Sequence, residues 1–417
     1  MPKTIAEKIL SAHAGKDLKA GDFAVCKVDF AFGQDGTSSI IVDRIRELGI
    51  HELKTDFCMV IDHNAPSPTE GASRIQKKMR DFSREYKTRL YDVGCGVCHQ
   101  VIPESGRVLP GSLVFGADSH TCTYGALGAF STGVGSTDLA IALAAGKNWL
   151  KVPQTIKIIV KGKIPKGISA KDIILYIITK VGADGATYKA VEFCGPVIDT
   201  LNMDGRFTIS NMVVEMGAKA GIMPQDKKTI SWFKAIGVDT KNLKPVTADK
   251  GAYYCEILEY DISKLKPQVS RPHSVDSAVD VGKLKNTLID EAFLGTCTNG
   301  RFSDLQIAAS MLQNKKVAEG IKFIVAPSSR AIYQRALKTG IIDKFVKAGA
   351  VVIPPGCGPC VGTHCGVPAD GEIVISSANR NFKGRMGNPN AFIYLGSPAT
   401  VTASAIEGKI ADPRKYL

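Results

Sequence analysis

The chain has 417 residues, 44% of them hydrophobic and 22% charged, enough for roughly two to four domains with packed cores. Its net charge is +13, but the basic residues are scattered, with no basic arm and no stripe interleaved with aromatics; this speaks against nucleic acid and leaves an anionic substrate. No run approaches about 18 apolar residues and the opening MPKTIAEKIL has no signal-peptide pattern, so no membrane span and a cytoplasmic location are expected.

Thr4 and Glu7 have the spacing of a capping box at the start of a first helix. A recurring unit comes next: a short apolar strand, a Gly-rich or polar turn, an amphipathic helix. DFAVCKVDFAF runs into GQDGTSS and IIVDRIRELG; FCMVI runs into DHNAPSP, RLYDVG into CGVCHQVIPE, and SLVFGA into DSHTCT. VGSTD is expected to cap a helix LAIALAAGKNWL. This grammar predicts an α/β fold with mostly parallel sheets covered by helices. The rhythm breaks near residue 153, where TIKIIVKGKIPKG reads as a strand and a new start. The Pro-, Ser- and charge-rich stretch 262–287 reads as a linker or extended surface segment. IDEAFLG, KFIVAPS, GAVVIPP and GEIVISS then resume the rhythm as strands. Three domains are expected, 1–153, 154–280 and 281–417.

In open parallel sheets, ligands bind beyond the carboxyl ends of strands. The residues just past each predicted strand are therefore informative: Asp62-His63-Asn64, Cys95 to His99, Asp118-Ser119-His120, Thr296 to Asn299, Gly356 to Cys360, and Asn379-Arg380 with Arg385 close behind. One histidine at a strand end is ordinary. Three of the chain's seven there, two with an aspartate within two residues, point to acid–base chemistry. Eleven cysteines, an odd number, argue against a disulfide framework and for metal or redox use. Cys95-x-x-Cys98-His99 matches a haem-attachment pattern, but that pattern belongs to exported proteins, so both cysteines are read as structural thiols. Cys357-x-x-Cys360 has ligand spacing, and Cys297 ends another strand. A zinc site would add Cys365 or His364; an iron–sulfur site takes thiolates alone, and the spacing leaves both open. Arg380 and Arg385 sit on a Gly-containing loop suited to gripping a carboxylate. Asn211 and Glu215, four apart, are expected on one helix face. No phosphate-binding loop is present, and GVGSTD lacks the last glycine of a dinucleotide fingerprint.

Taken in order, GQDGTS, IDHN, CHQ, GADSHT, NMVVE, GTCTNGR, PPGCGPC and SANRNFKGR resemble the aconitase superfamily over essentially the whole chain. The likeness is greatest to its shorter, two-subunit kind, the large subunits of 3-isopropylmalate dehydratase and homoaconitase. The resemblance implies three α/β domains around a central cleft, without the family's swivelling domain. It implies one [4Fe-4S] cluster per large subunit on Cys297, Cys357 and Cys360, with one iron not bound by protein. It pairs Asp62 with His63, Asp118 with His99 and Glu215 with His120 as catalytic groups. It assigns Gln34, Ser119, Asn211, Arg380 and Arg385 to a hydroxy-di- or tricarboxylate substrate. The implied reaction interconverts 2- and 3-isopropylmalate by dehydration and rehydration, as in leucine biosynthesis. Homoaconitase or another methylated-malate hydro-lyase is the alternative, and an RNA-binding apoprotein a remote one. The family's base, a deprotonated serine, and further arginines have no counterpart here. A small subunit supplying them is implied, in a heterodimer or heterotetramer. Cys365 is extra to the pattern.

Overall fold

Parallel strands are covered on both faces, so their sequences read as continuous apolar runs. Phe30–Gln34 is buried at every position and Asp56–Val60 at all but the first. The computed structural model describes residues 1–417. Five strands form a first sheet, wholly parallel, in the order Arg89–Tyr91, Asp56–Val60, Phe30–Gln34, Leu113–Gly116, Phe130–Gly133. Four more form a second parallel sheet: Ala220–Ile222, Ala190–Cys194, Thr155–Lys161, Glu256–Asp261. A third sheet has seven strands. Its parallel part runs Phe392–Leu395, Ile373–Ser376, Glu291–Gly295, Lys322–Ala326, Val351–Val352. The fold is thus multi-sheet α/β and mostly parallel, as the strand–turn–helix rhythm predicts. No helix is long and apolar enough to cross a membrane.

Helices cover the sheets, and their ends obey local chemistry. Thr4 and Glu7 do form a reciprocal capping box on the helix Ile5–Ala14, which Gly15 closes in the left-handed region at φ 63°. The first sheet has a core on each face. Ile41, Met59 and Phe82 pack on one side; Phe32, Val60, Ile102 and Phe207 pack on the other. The second and third sheets share a core in which Ile156 and Ile158 meet Phe293, Ile324 and Val374. Each such side chain stabilises the fold by about 1.5–3 kcal/mol through burial.

Three local expectations are corrected. LAIALAAGKNWL is not one helix: Ser136–Ala145 ends at Gly146, φ 72°. Lys147–Lys151 then alternates exposed and buried, as an antiparallel partner of Phe23–Lys27. The glycine stops the helical period, and the strand period starts at once. The stretch 262–287 is not a simple linker. Gln268–Ser270 and Ala278–Asp280 pair antiparallel and join the third sheet beside Phe392–Leu395. Its strand Gln268–Ser270 is buried although mostly polar, and Asp172 accepts the Gln268 backbone N–H at 2.9 Å, which is why composition concealed it. Finally, the helix carrying Asn211 ends at Met212, and Glu215 lies in the tighter 3₁₀ turn Val213–Met216. The two are therefore not one turn apart on a single α-helix.

The carboxyl ends of the first and third sheets carry the candidate groups. Asp62, His99 and Asp118 come after strands of the first; Cys297, Cys357 and Asn379 come after strands of the third.

Candidate functional site

The chain leaves Asp56–Val60 in a turn pinned from the neighbouring strand. Asp35, just past Phe30–Gln34, accepts the backbone N–H groups of Asp62, His63 and Asn64 at 3.1, 2.8 and 2.8 Å. Asp62 is fully buried. Its Oδ1 lies 2.7 Å from His63 Nδ1, and its Oδ2 accepts the Cys98 N–H at 2.6 Å. That second bond ties the turn to the helix Cys98–Glu104, which presents His99. His99 Nε2 meets Asp118 Oδ1 at 2.8 Å, and Asp118 Oδ2 stands 3.5 Å from His63 Nε2. His120 Nε2 meets Glu215 Oε1 at 2.7 Å. The Arg380 Nε donates to the same Glu215 at 2.8 and 3.1 Å, and its Nη1 donates to Ser119 Oγ at 2.9 Å. All three sheets' connections thus contribute to one network.

The charges in it are driven apart. Burial opposes a charged His63, but the Cys357 sulfur, Asp62 and Asp118 outweigh it and hold this imidazole well above the usual histidine range. Burial, with the Arg380 charge, pushes His120 down to about 4, against the pull of Glu215. Burial also pushes Asp118 up, yet His99 and His63 bring it well below the usual carboxylate range. Glu215 resists burial in the same way, through the His120 hydrogen bond and Arg380. The site therefore pairs a protonated imidazole with a neutral one, the arrangement that separates acid from base roles.

Cys297, Cys357 and Cys360 are buried and line one small cavity with His63, His99, His120 and Asp118. Cys297 lies on a turn opened by Thr296, whose φ of 73° is unusual for a β-branched residue. N–H donors are aimed at the sulfurs. Asn211 and Asn379 side chains reach Cys297 Sγ at 3.4 and 3.5 Å, and Arg385 Nη2 reaches Cys360 Sγ at 3.3 Å. Such donors would suit deprotonated sulfurs, which a bound metal group favours, while burial alone holds the Cys297 thiol up. Asp62, His63 and Cys357 also place ligand atoms within 4.8 Å of one another. Both His63 nitrogens face carboxylates, however, so the thiols are the better donor set. Cys365 and His364 do not line the cavity. Cys365 is exposed, its sulfur 3.0 Å from His364 Nδ1, while His364 Nε2 meets the His63 carbonyl at 2.9 Å. A fourth protein ligand from either is thus unsupported, and the three-thiol set is consistent with an iron–sulfur group.

The remaining candidates separate. Arg385 borders the cavity with its Nε buried and unpartnered. Asn211 sits behind Cys297, bonded to Thr123 and Thr298. Ser119 and Arg380 lie at the Glu215 edge. Gln34 is buried at its strand end with its side-chain carbonyl on the Gly36 N–H, and does not line the cavity. Sequence reasoning missed two residues and left a third, Asn379, without a role. Asp35 stands inside the GQDGTS motif, and Asn379 precedes Arg380. Lys171 is fully buried and donates to the Ser377 and Ala378 carbonyls beneath the Asn379 turn. For Asp35 and Asn379, position at a strand end was the available signal; Lys171, within a helix, offered none.

A sequence model of the Aconitase family (aconitate hydratase) matches residues 7–288 and 281–408. The chain is 52% identical to the 3-isopropylmalate dehydratase large subunit 1 of Thermotoga maritima, over 100% of both chains. It is 45% identical to a probable methanogen homoaconitase large subunit of Methanothermobacter thermautotrophicus, over 99% of this chain and 97% of that one. The solved holo-form of aconitase X from Thermococcus kodakaraensis aligns with a TM-score of 0.51 at 13% identity, over 90% of this chain and 88% of that one, a likeness of fold.

Proposed function

Since the chain belongs to the aconitase family and is a hydro-lyase of its large-subunit dehydratase kind, we propose that it interconverts 2- and 3-isopropylmalate in leucine biosynthesis. The observation that carries the reading is the meeting of three imidazoles, each paired with a carboxylate, and three buried thiols at one cavity. Cys297, Cys357 and Cys360 would hold a [4Fe-4S] cluster. When bound, that group supplies a Lewis-acidic iron that polarises the substrate hydroxyl.

The chain's own side chains do the rest. His63 is gripped at Nδ1 by Asp62, leaving Nε2–H beside Asp118 at 3.5 Å. That proton is placed for the departing hydroxide, which is a poor leaving group without it. Arg380 and Arg385 bind the substrate carboxylates and stabilise charge developing on them as the C–H proton leaves. Ser119 steadies Arg380, and Asn211 steadies Cys297. Neutral His120 donates to Glu215 and keeps that carboxylate on Arg380. Gln34 would reach substrate only by releasing Gly36. The same reading divides the chain near residues 153 and 280, with the hairpin before 280 crossing onto the third sheet.

No serine base is identified among these groups, and the relatives are named as large subunits. A small subunit carrying a serine and further arginines completes the site in this reading. The test is to purify the chain anaerobically, assay iron and sulfide, and combine it with a candidate small subunit. Isopropylmalate turnover by the complex, near-zero turnover by the chain alone, and weaker use of homoaconitate are expected. Zinc without sulfide, or full activity of the single chain, overturns the proposal. The homoaconitase-like relative makes homoaconitate the second substrate to assay.

A further inference from the structure

Arg301 has no solvent exposure, and the dehydration chemistry leaves it without a task. It closes the turn that carries Cys297. Its Nη2 donates to the Cys297 carbonyl at 2.7 Å and its Nη1 to the Thr298 carbonyl at 2.8 Å. Its Nε crosses to the first-sheet side and donates to Gln100 Oε1 at 2.9 Å. Gln100 is next to His99 on the helix Cys98–Glu104 and also donates to Glu104, which accepts the Ser329 hydroxyl. No carboxylate bonds the guanidinium directly; Asp204, Asp304 and Glu104 act on its charge from farther away.

A buried cation that only filled space would be replaceable by an apolar side chain with little loss, and often with gain. The guanidinium adds a rigid planar fork with donors at fixed angles. Here the fork spans the two elements whose relative placement the reaction needs: the thiol turn of the third sheet and the imidazole helix of the first. A second joint links the same two sheets farther out, between the segment before that helix and the turn after Lys322–Ala326: Val97 N–H donates to the Ser328 carbonyl at 2.9 Å and Arg330 N–H to the Cys95 carbonyl at 2.8 Å. That joint holds the interface together without setting the angle at Cys297.

We propose that Arg301 is a positioning residue that locks the Cys297 turn and the His99 helix into one frame. The proposal rests on the reading of Cys297 as a cluster ligand. Two variants test it, each studied as the reconstituted complex and as cluster-free chain. Arg301→Lys keeps the charge and loses the fork. Gln100→Leu cuts the bridge and keeps the bonds from Arg301 to the turn. Expected for Arg301→Lys are a kcat lowered about 10- to 100-fold with KM little changed, and a shifted electron-spin-resonance signature of the cluster. Its cluster-free form should alkylate about tenfold faster at Cys297, with exposed Cys365 unchanged as the internal standard. Gln100→Leu is expected to lower kcat similarly while leaving Cys297 alkylation at the wild-type rate. Wild-type kcat in Gln100→Leu overturns the proposal, and so does wild-type Cys297 alkylation in Arg301→Lys. Should the wild-type chain take up no iron or sulfide, the functional reading fails, and the alkylation arm still decides whether Arg301 sets the turn.

Discussion

His63 and His120 share one cavity, yet their surroundings set opposite proton states. His63 lies between two carboxylates, at 2.7 Å from Asp62 and 3.5 Å from Asp118. His120 has one carboxylate, and Arg380 already occupies it. The difference predicts unequal outcomes on substitution. His63→Asn removes the proton donor to the leaving hydroxide, and kcat should fall by about 10²- to 10⁴-fold with little change in KM. His120→Asn keeps a donor toward Glu215. Its loss should be smaller and appear partly in KM, through Arg380. Steady-state kinetics of both variants in the reconstituted complex check this, and equal losses in kcat alone would remove the division of roles.

At the scale of the element, the turns matter more than the strands that launch them. Asp35 satisfies three consecutive backbone N–H groups from the next strand's turn. Asp35→Ala leaves them without a partner. Stability should drop by about 2 kcal/mol, with a larger proportional loss of kcat because His63 rides on that turn; urea unfolding midpoints and kcat measured together check it. Asp35 also marks where sequence reading stopped. Strand ends were legible because apolar runs and glycine turns are local signals, so His63, His99, His120 and the cysteines could be collected from them. That Asp35 faces Asp62 rather than solvent depends on which strands are neighbours, and spacing carries no trace of it. The same applies to Arg301 and Gln100, joined across the interface of two sheets. KNWLK misled for a different reason: its apolar residues continue the helix's composition while changing its period. Gln268 misled because a buried polar strand looks like a loop until Asp172 and the Phe392–Leu395 edge are in place.

For the molecule as a whole, the active groups sit at the carboxyl ends of the first and third sheets, and the third sheet's other end holds an unusual charge. Glu291 opens the strand that leads to Cys297 and is fully buried. Burial pushes its carboxyl up to about 7, against the pull of Lys322, whose ammonium is 3.3 Å away and bonded to Glu372 at 2.7 Å. The carboxyl of half-buried Asp304 is pushed up to about 7 as well, and that of fully buried Asp172 to about 6. Between roughly pH 4.5 and 7 the folded chain therefore binds more protons at Glu291 than the unfolded chain does, so its contribution to stability falls as pH rises through that window. The fall amounts to about 3 kcal/mol at most and levels off above about pH 7. Carboxylates held low, such as Asp118 and Glu215, act with the opposite sign and only in more acid solution. Glu291→Gln isolates the effect. A buried amide carries whatever penalty it has at every pH, and the net charge of +13 shifts both proteins' curves nearly alike. The difference in urea midpoint between variant and wild type should therefore move in the variant's favour from pH 5 to pH 8, by an equivalent of about 1–3 kcal/mol. Parallel midpoints across that range would mean that Glu291 stays ionised in the fold, with Lys322 rather than burial governing it.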